Sequence, residues 1–250
     1  HDIRECDVDP QRLRDWFLNN QGITFGTFLR ARRLGNALSR ISRGHDLGQI
    51  AKDAGYASIN QFHAAFQKWY GCNVGSSNPA EAILVNRLLT PLGHMIIACD
   101  EKKLVLLEFA DHRNMENQFG RLSAILKTEF LPGENNLMNK VQVQLDDYFT
   151  GSLCNFSIPL LIKGTSFQES TWKQVLTINY GKTAAYQEIG RKMGKPNAQR
   201  AVGRASGDNR IVILIPCHRV IRQTRDLSGY SGGIRRKEWM LKHEQAVSHC

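Results

Sequence analysis

Apolar residues in the first 80 positions recur at helical spacing. Asp9-Pro10-Gln11-Arg12-Leu13 reads as an N-cap followed by proline at the first helical position, Leu13 and Phe17 lie four apart, and Gly22 predicts the stop. Ser58, the Phe62/Phe66 pair and Gly71 repeat those signals further along. Between the copies, Phe28 to Ile41 predicts one long amphipathic helix with Arg30, Arg32, Arg33, Arg40 and Arg43 on or near it. Gln49 to Tyr56 predicts a short helix ending at a turn, ahead of the second copy. Short helix, tight turn and longer helix make a helix-turn-helix, whose second helix can enter a major groove.

After Gly75-Ser76-Ser77-Asn78-Pro79, a run of small and polar residues that predicts a boundary, the pattern changes. His94–Ala98 and Leu104–Phe109 are short apolar runs flanking Asp100-Glu101-Lys102-Lys103, the signal of a β-hairpin. Helical stretches near Met115–Glu129 and Asn136–Phe149 follow, then a strand candidate at Phe156–Ile162. No catalytic constellation appears in this small α/β piece, so it reads as a scaffold. The last third opens with a Thr165-Ser166 cap and a helix through Phe167, Trp172, Val175 and Leu176. Thr183–Ile189, a break at Gly194-Lys195-Pro196-Asn197, and Ala198–Ala205 predict a third helix-turn-helix. Ala198, Ala201, Gly203 and Ala205 make its second helix narrow, leaving Arg200 and Arg204 as the long side chains. Ile211–Ile215 then predicts a buried strand running into Pro216-Cys217-His218-Arg219-Val220. The expected division is 1–78, 79–164 and 165–250.

Charge sharpens this division. The 250 residues carry a formal net charge of +10, of which +3 falls in 1–80, −2 in 81–165 and +9 in 166–250. A basic concentration of this kind suits a polyanionic partner, nucleic acid first, or a solvated basic face. No apolar run approaches the roughly 20 residues of a bilayer span, so no membrane role is expected. Six scattered cysteines without a C-x-x-C argue against a zinc ribbon or a disulfide scaffold and for a reducing, cytoplasmic setting. The chain starts at His1 without an initiator Met or a leader, which predicts that upstream residues have been removed and that no secretory signal is present.

Cys217 is the candidate for chemistry. A lone cysteine is by default an inert buried thiol. Here Pro216 fixes the exit from an apolar run, and His218 with the nearby arginines could draw the thiol toward a thiolate. Cys6, Cys72, Cys99, Cys154 and Cys250 read as incidental.

Residues 6–74 resemble the DNA-binding domain of AraC-type transcription regulators, through Gly22-Ile23-Thr24-Phe25 with Arg32-Arg33-Leu34 and Gly55-Tyr56-Ala57-Ser58 with Phe62, Phe66 and Gly71. Pro216-Cys217-His218-Arg219-Val220 resembles the active-site signature of methylated-DNA–protein-cysteine methyltransferases. Asn209, Ser228-Gly229-Tyr230-Ser231-Gly232-Gly233, Lys237-Glu238-Trp239 and His243-Glu244 match as well, so that likeness spans about Asn86 to Glu244. Together they resemble the Ada-type bifunctional regulators of DNA repair without their N-terminal zinc domain.

The resemblance implies a multidomain α+β protein: an all-α double helix-turn-helix domain, a small α/β ribonuclease H-like domain, and a mostly helical alkyltransferase domain with its own helix-turn-helix. It implies irreversible transfer of the methyl group of O6-methylguanine to Cys217 after the nucleotide is flipped out of the duplex. His218 would act as base through a water, Glu244 would hold its tautomer, and Asn209 would tie the active-site loop to the DNA-binding motif. Arg200 would fill the vacated stack and Tyr186 would press on the rotating phosphate, on a minor-groove surface that includes Ala198, Gln199 and Arg204. Carbonyls of Cys217 and Val220 would accept from the guanine amino group, with Tyr230 and Ser231 lining its pocket. No metal and no cofactor is implied. The partners implied are double-stranded DNA with an alkylated guanine, promoter DNA, and RNA polymerase if the regulator activates transcription.

Plainer readings stand beside these. Tyr186 is also an ordinary core-edge tyrosine and Glu244 a helix-end charge, while Arg204, Arg219 and the Arg235-Arg236-Lys237 run are phosphate contacts or solvated charges. A transcription regulator or lesion-binding module without transfer is the main alternative function. A Cys–His hydrolase is a third, with no Ser, Asp or Asn at a suitable partner position.

Overall fold

A computed structural model describes residues 9–21, 24–70, 82–112, 115–224, 227 and 229–247. The N-terminal helices begin where polar caps dictate. Asp9 accepts from the backbone N–H of Gln11 at 2.9 Å and starts α1 (Pro10–Gln21). Thr24 caps α2 (Phe25–Ser42), Asp46 caps α3 (Leu47–Asp53), and the Ser58 hydroxyl accepts from Gln61 N–H at 3.2 Å ahead of α4 (Ile59–Tyr70). Gly55, at φ 81°, makes the left-handed turn between α3 and α4. The expected stops at Gly22 and Gly71, the boundary at 75–79, Ser228, Cys6, Cys72 and Cys250 lie outside the described residues.

The middle of the chain forms a four-stranded sheet of β1 (Ile83–Thr90), β2 (Gly93–Cys99), β3 (Leu104–Phe109) and β4 (Phe130–Pro132), in the order β3-β2-β1-β4. β1, β2 and β3 are antiparallel neighbours, and β4 runs parallel to β1. The expected hairpin is β2–β3, and the two expected helices are α5 (Met115–Leu126) and α6 (Asn136–Thr150). Two expectations fail, and β1 and β4 carried no strand signal. Among the described residues Phe156–Ile162 makes a single bridge, from Leu160 to Leu104, and Cys154 is disulfide-bonded rather than incidental. Spacing along a chain cannot show which cysteines approach in space.

Both faces of the sheet are covered. Val85, Ile96, Ala98, Val105 and Leu106 share one core with Leu34, Leu38, Phe62, Phe66 and Tyr70 of the N-terminal helices. Met95, Ile97, Leu104, Leu107 and Phe109 share another with Tyr148, Trp172, Val202 and Ile213. Double burial erases the apolar–polar alternation by which a half-exposed strand is recognised.

The last third contains α7 (Ser166–Val175), β5 (Ala184–Ala185), α8 (Tyr186–Lys192), α9 (Gln199–Gly207), β6 (Val220–Ile221) and α10 (Ile234–Ala246). Thr165 and Gln168 form the capping box of α7. The connection between α8 and α9 packs back onto Gly190, where a Cβ would lie 2.8 Å from the Lys195 carbonyl oxygen. The protein is thus mixed, mostly helical, with a small sheet. No helix among the described residues is long and apolar enough to cross a membrane.

Candidate active site

The apolar run 211–215 is buried as expected, but it is not a strand. Val212 N–H donates to Leu107 O at 2.9 Å, and the chain then folds back on itself, Leu214 N–H donating to Val212 O at 3.0 Å. That bond closes a γ-turn on Ile213, whose φ is 73°. A β-branched residue in this region is strained, and the surrounding core over-determines it. Pro216 makes a second γ-turn (φ −80°, ψ 60°), with Cys217 N–H donating to Ile215 O at 2.8 Å. Cys217 then opens a 3-10 turn, Cys217–Arg219, and lies buried.

Asn209, fully buried, braces this double turn. Its Nδ2 donates to Ile215 O at 2.9 Å and to Cys217 Sγ at 3.1 Å, while its Oδ1 accepts from Ile211 N–H at 3.0 Å. Burial nevertheless pushes the Cys217 thiol up to about 11; the Asn209 bond lowers it, nearby Glu108 raises it, and Lys237 lowers it. The expected drift toward a thiolate is therefore reversed in the protein alone. The arginines thought to supply a field are engaged elsewhere, and desolvation of the anion outweighs one hydrogen bond.

His218 Nε2 lies 2.7 Å from Glu244 Oε1. Glu244 also accepts from Arg219 Nε at 2.9 Å and Nη2 at 3.1 Å, from the Tyr148 hydroxyl at 2.9 Å, and from Gly181 N–H at 3.2 Å. Burial alone would raise the Glu244 carboxyl; the hydrogen bonds and charges of His218 and Arg219 overcome that and hold it at about 2. Burial lowers His218 against the pull of Glu244. The consistent assignment is a neutral imidazole whose Nε2–H donates to a carboxylate, with Arg219 as the permanent counter-cation. Nδ1 is then a bare acceptor, and it is buried with no hydrogen-bond partner among the described residues.

Two residues read as solvated charges or phosphate contacts belong inside this assembly. Arg219 is buried, bonds Glu244, and donates to Ile178 O at 2.6 Å. Lys237 is fully buried, and its Nζ donates to Val220 O at 2.7 Å. Burial lowers it to about 8, against the opposing effect of Cys217. Arg236 is also internal, pairing with Asp111 at 2.8 Å over the ring of Phe109. A basic run in sequence cannot distinguish a lysine held against a carbonyl from one in water. Only the Lys-Glu-Trp flank pointed toward Lys237. Tyr148 and Glu108 gave no signal.

The remaining site residues fall into two groups. Tyr230 is buried, and neither its hydroxyl nor that of neighbouring Ser231 has a hydrogen-bond partner among the described residues. Val220 sits on β6, paired with Ala184, and its carbonyl already accepts from Lys237. Tyr186, Gln199 and Arg200 line a groove of about 530 Å³ with Arg222 and Gln223. Gly203 lies against the ring of Tyr186, and burial raises the Tyr186 phenol. Ala198 and Arg204 do not line the groove: Ala198 packs against the core and Arg204 is exposed. No cluster of three or more His, Cys, Asp or Glu able to hold a metal ion occurs among the described residues.

Residues 166–246 match the model of the 6-O-methylguanine DNA methyltransferase DNA-binding domain, and 86–162 that of its ribonuclease-like domain. Residues 4–76 match a helix-turn-helix domain. The chain is 40% identical over 156 residues to the methylated-DNA–protein-cysteine methyltransferase of Mycobacterium leprae, covering 62% of this chain and 88% of that protein. It is 36% identical over 174 residues to the enzyme of that name from Shigella flexneri, covering 65% and 95%. The crystal structure of Mycobacterium tuberculosis OGT in complex with DNA superposes with a TM-score of 0.57 at 35% identity, covering 66% of this chain and 94% of that one.

Proposed function

The chain belongs to the 6-O-methylguanine DNA methyltransferase family, and from that premise we propose how its own residues carry out the transfer. Its activity is that of a methylated-DNA–protein-cysteine methyltransferase, joined here to a helix-turn-helix domain. The observation that carries the assignment of residues is the buried Cys217, its sulfur bonded by Asn209 at 3.1 Å and followed in sequence by a histidine locked onto Glu244 at 2.7 Å.

Cys217 Sγ is the nucleophile. Its proton passes through one water to Nδ1 of His218, the free acceptor, and Glu244 and Arg219 hold the imidazole in the tautomer that leaves Nδ1 bare. The thiolate attacks the methyl carbon of O6-methylguanine. A carbon–sulfur bond forms, the carbon–O6 bond breaks, and its electron pair stays on guanine, which takes up a proton. The product thioether has no leaving group to regenerate the thiol, so each molecule reacts once. A thiol held at about 11 fits this scheme, because the thiol gives up its proton only where base and substrate are both present.

The methyl group of a stacked guanine lies out of reach, so the nucleotide is flipped into the site. The groove lined by Tyr186, Gln199 and Arg200 is the surface for it: Arg200, exposed on a narrow helix, fills the gap and Tyr186 guides the rotating phosphate. Tyr230, Ser231 and the carbonyls of Cys217 and Val220 receive the base. Ala198, at the N-cap, sets the start of α9, and exposed Arg204 in its last turn offers a further phosphate contact. The N-terminal domain reads promoter DNA, and RNA polymerase is its partner in activation. The test is incubation with an oligonucleotide bearing O6-methylguanine, followed by peptide mass analysis. One methyl group is expected on the Cys217 peptide and none in Cys217→Ala. Transfer by that variant sinks the assignment.

A further inference from the structure

A second cavity, about 320 Å³, lies where the N-terminal domain, the sheet and the C-terminal helix meet. α2 contributes Phe28, Ala31 and Arg32, the β1–β2 turn and its flanks contribute Arg87, Gly93 and His94, and α10 contributes Arg236. It is remote in chemistry from the site described above: none of its lining residues touches Cys217, His218 or Glu244 in any hydrogen bond.

Charge in this cavity is unbalanced. Three guanidinium groups line it, with Asp111 as the sole carboxylate of the lining. Asp111 is fully occupied by a two-pronged pair with Arg236, both contacts at 2.8 Å. Among the described residues no carboxylate pairs with Arg32 or Arg87, and the Arg87 guanidinium donates to the side-chain oxygen of Asn36. His94 adds a buried Nδ1 without a hydrogen-bond partner among the described residues. Burial lowers both Arg87 and His94; Arg32 lowers both further, Arg87 also lowers His94, and Asp111 opposes this at His94, as expected where cations outnumber the one carboxylate.

The backbone is shaped around these groups. A Cβ on Gly93, whose φ is 115°, would stand 3.2 Å from Arg236 Nη2, and one on Gly35 would stand 3.1 Å from Arg87 Cδ. Glycine at both positions gives the guanidinium groups room to turn into one space. We propose that this cavity is a binding site for a phosphate-class oxyanion, held between Arg32 and Arg87.

Guanidinium groups bind phosphate oxygens in a two-pronged fashion, and a tetrahedral anion can bridge two of them. The bare His94 Nδ1 meets a protonated phosphate oxygen as acceptor, or donates in its other tautomer. The volume is at the lower end for a small-molecule site, enough for phosphate with a compact ester group resting on Phe28. Phosphate reaches such a site as a free small molecule or as part of a DNA backbone, and the experiment separates these sources. Because Arg32 stands on the helix-turn-helix domain and Arg87 on the sheet, an anion between them links the two parts.

The test is calorimetric titration of the full chain with inorganic phosphate, in chloride buffer of fixed ionic strength, for the wild type and for Arg32→Gln and Arg87→Gln. Saturable one-to-one binding is expected, weakened at least about tenfold in each variant, the loss of about 1.4 kcal/mol expected for one charge-assisted contact. Affinity for unmodified duplex DNA is measured on the same samples. If it is unchanged in the variants, the anion is a free phosphate or phosphate ester; if it falls with phosphate affinity, the anion is a backbone phosphate. Arg32 is exposed, so Arg32→Gln carries the test if Arg87→Gln fails to fold. Absence of saturable phosphate binding in the wild type, or binding unaltered in Arg32→Gln, overturns the proposal.

Discussion

Glu244→Gln is the most informative single change. The carboxylate accepts five hydrogen bonds, two of them from a buried guanidinium. An amide keeps the shape but cannot accept at both ends, and it leaves Arg219 buried without a counter-charge. Breaking a buried pair in this way costs about 3–5 kcal/mol. The pH dependence isolates the carboxylate itself. Its pKa in the folded protein, about 2, is depressed from an ordinary 4.5. Its stabilisation is therefore complete above about pH 4.5 and is lost as pH falls through 2. The shift is worth roughly 3 kcal/mol. Urea denaturation of both proteins from pH 7 to pH 2 measures this, since the other carboxylates titrate alike in the two and cancel. The gap between wild type and variant should close by about 3 kcal/mol on acidification. A gap that stays constant with pH, or is under ~1 kcal/mol at pH 7, refutes the reading of Glu244 as the charged hub of the site.

Three further outcomes follow from the same geometry. Alkylation of Cys217 by iodoacetamide in the absence of DNA should accelerate with pH up to about 11, and a midpoint at or below the 8.5 of a free thiol would contradict the buried setting. Asn209→Ala removes three bonds from the double turn, so thermal unfolding should show a loss of about 2–4 kcal/mol and single-turnover assays a slower transfer; a full-speed variant would mean that the turn holds itself. Lys237 sits at about 8, below its unfolded value of 10.5, so the unfolded chain binds more protons between those limits and stability rises with pH there. Lys237→Met should abolish that rise, by roughly 3 kcal/mol in urea titrations at pH 7 and pH 10.5, and an identical slope in both proteins would rule out burial as the cause.

Much of this was legible in the chain. Polar caps at Asp9, Ser58 and Thr165 placed three helix starts correctly, because a cap is local chemistry between residues two or three apart. β1 was not legible, since Asn86 and Arg87 interrupt its apolar run and both faces of its sheet are covered. The run at 211–215 misled for the opposite reason: five apolar residues signal burial, and the reversal at Ile213 is imposed by β3 and Asn209, far from it or outside it. Charge was only partly readable. Of the basic residues behind the +9 of the last third, Arg210, Arg219, Arg236 and Lys237 bond protein groups inside the fold. The charge left for a polyanion is therefore smaller than the sum suggested, and Arg200 and Arg222 are the part of it that lines the groove.

If the N-terminal helices and the groove of α9 both bind DNA as proposed, the core shared between those helices and the sheet governs how the two surfaces cooperate. Joined by a flexible tether, they would search for each other's sites at a local concentration set by tether length, and almost any separation along the duplex could be spanned. Packed together through Leu34, Phe62, Ile96 and Leu106, they are held in a defined placement rather than on a tether. Avidity is then all or nothing: DNA bent or spaced to fit engages both surfaces, and on any other DNA the molecule binds through one surface at a time.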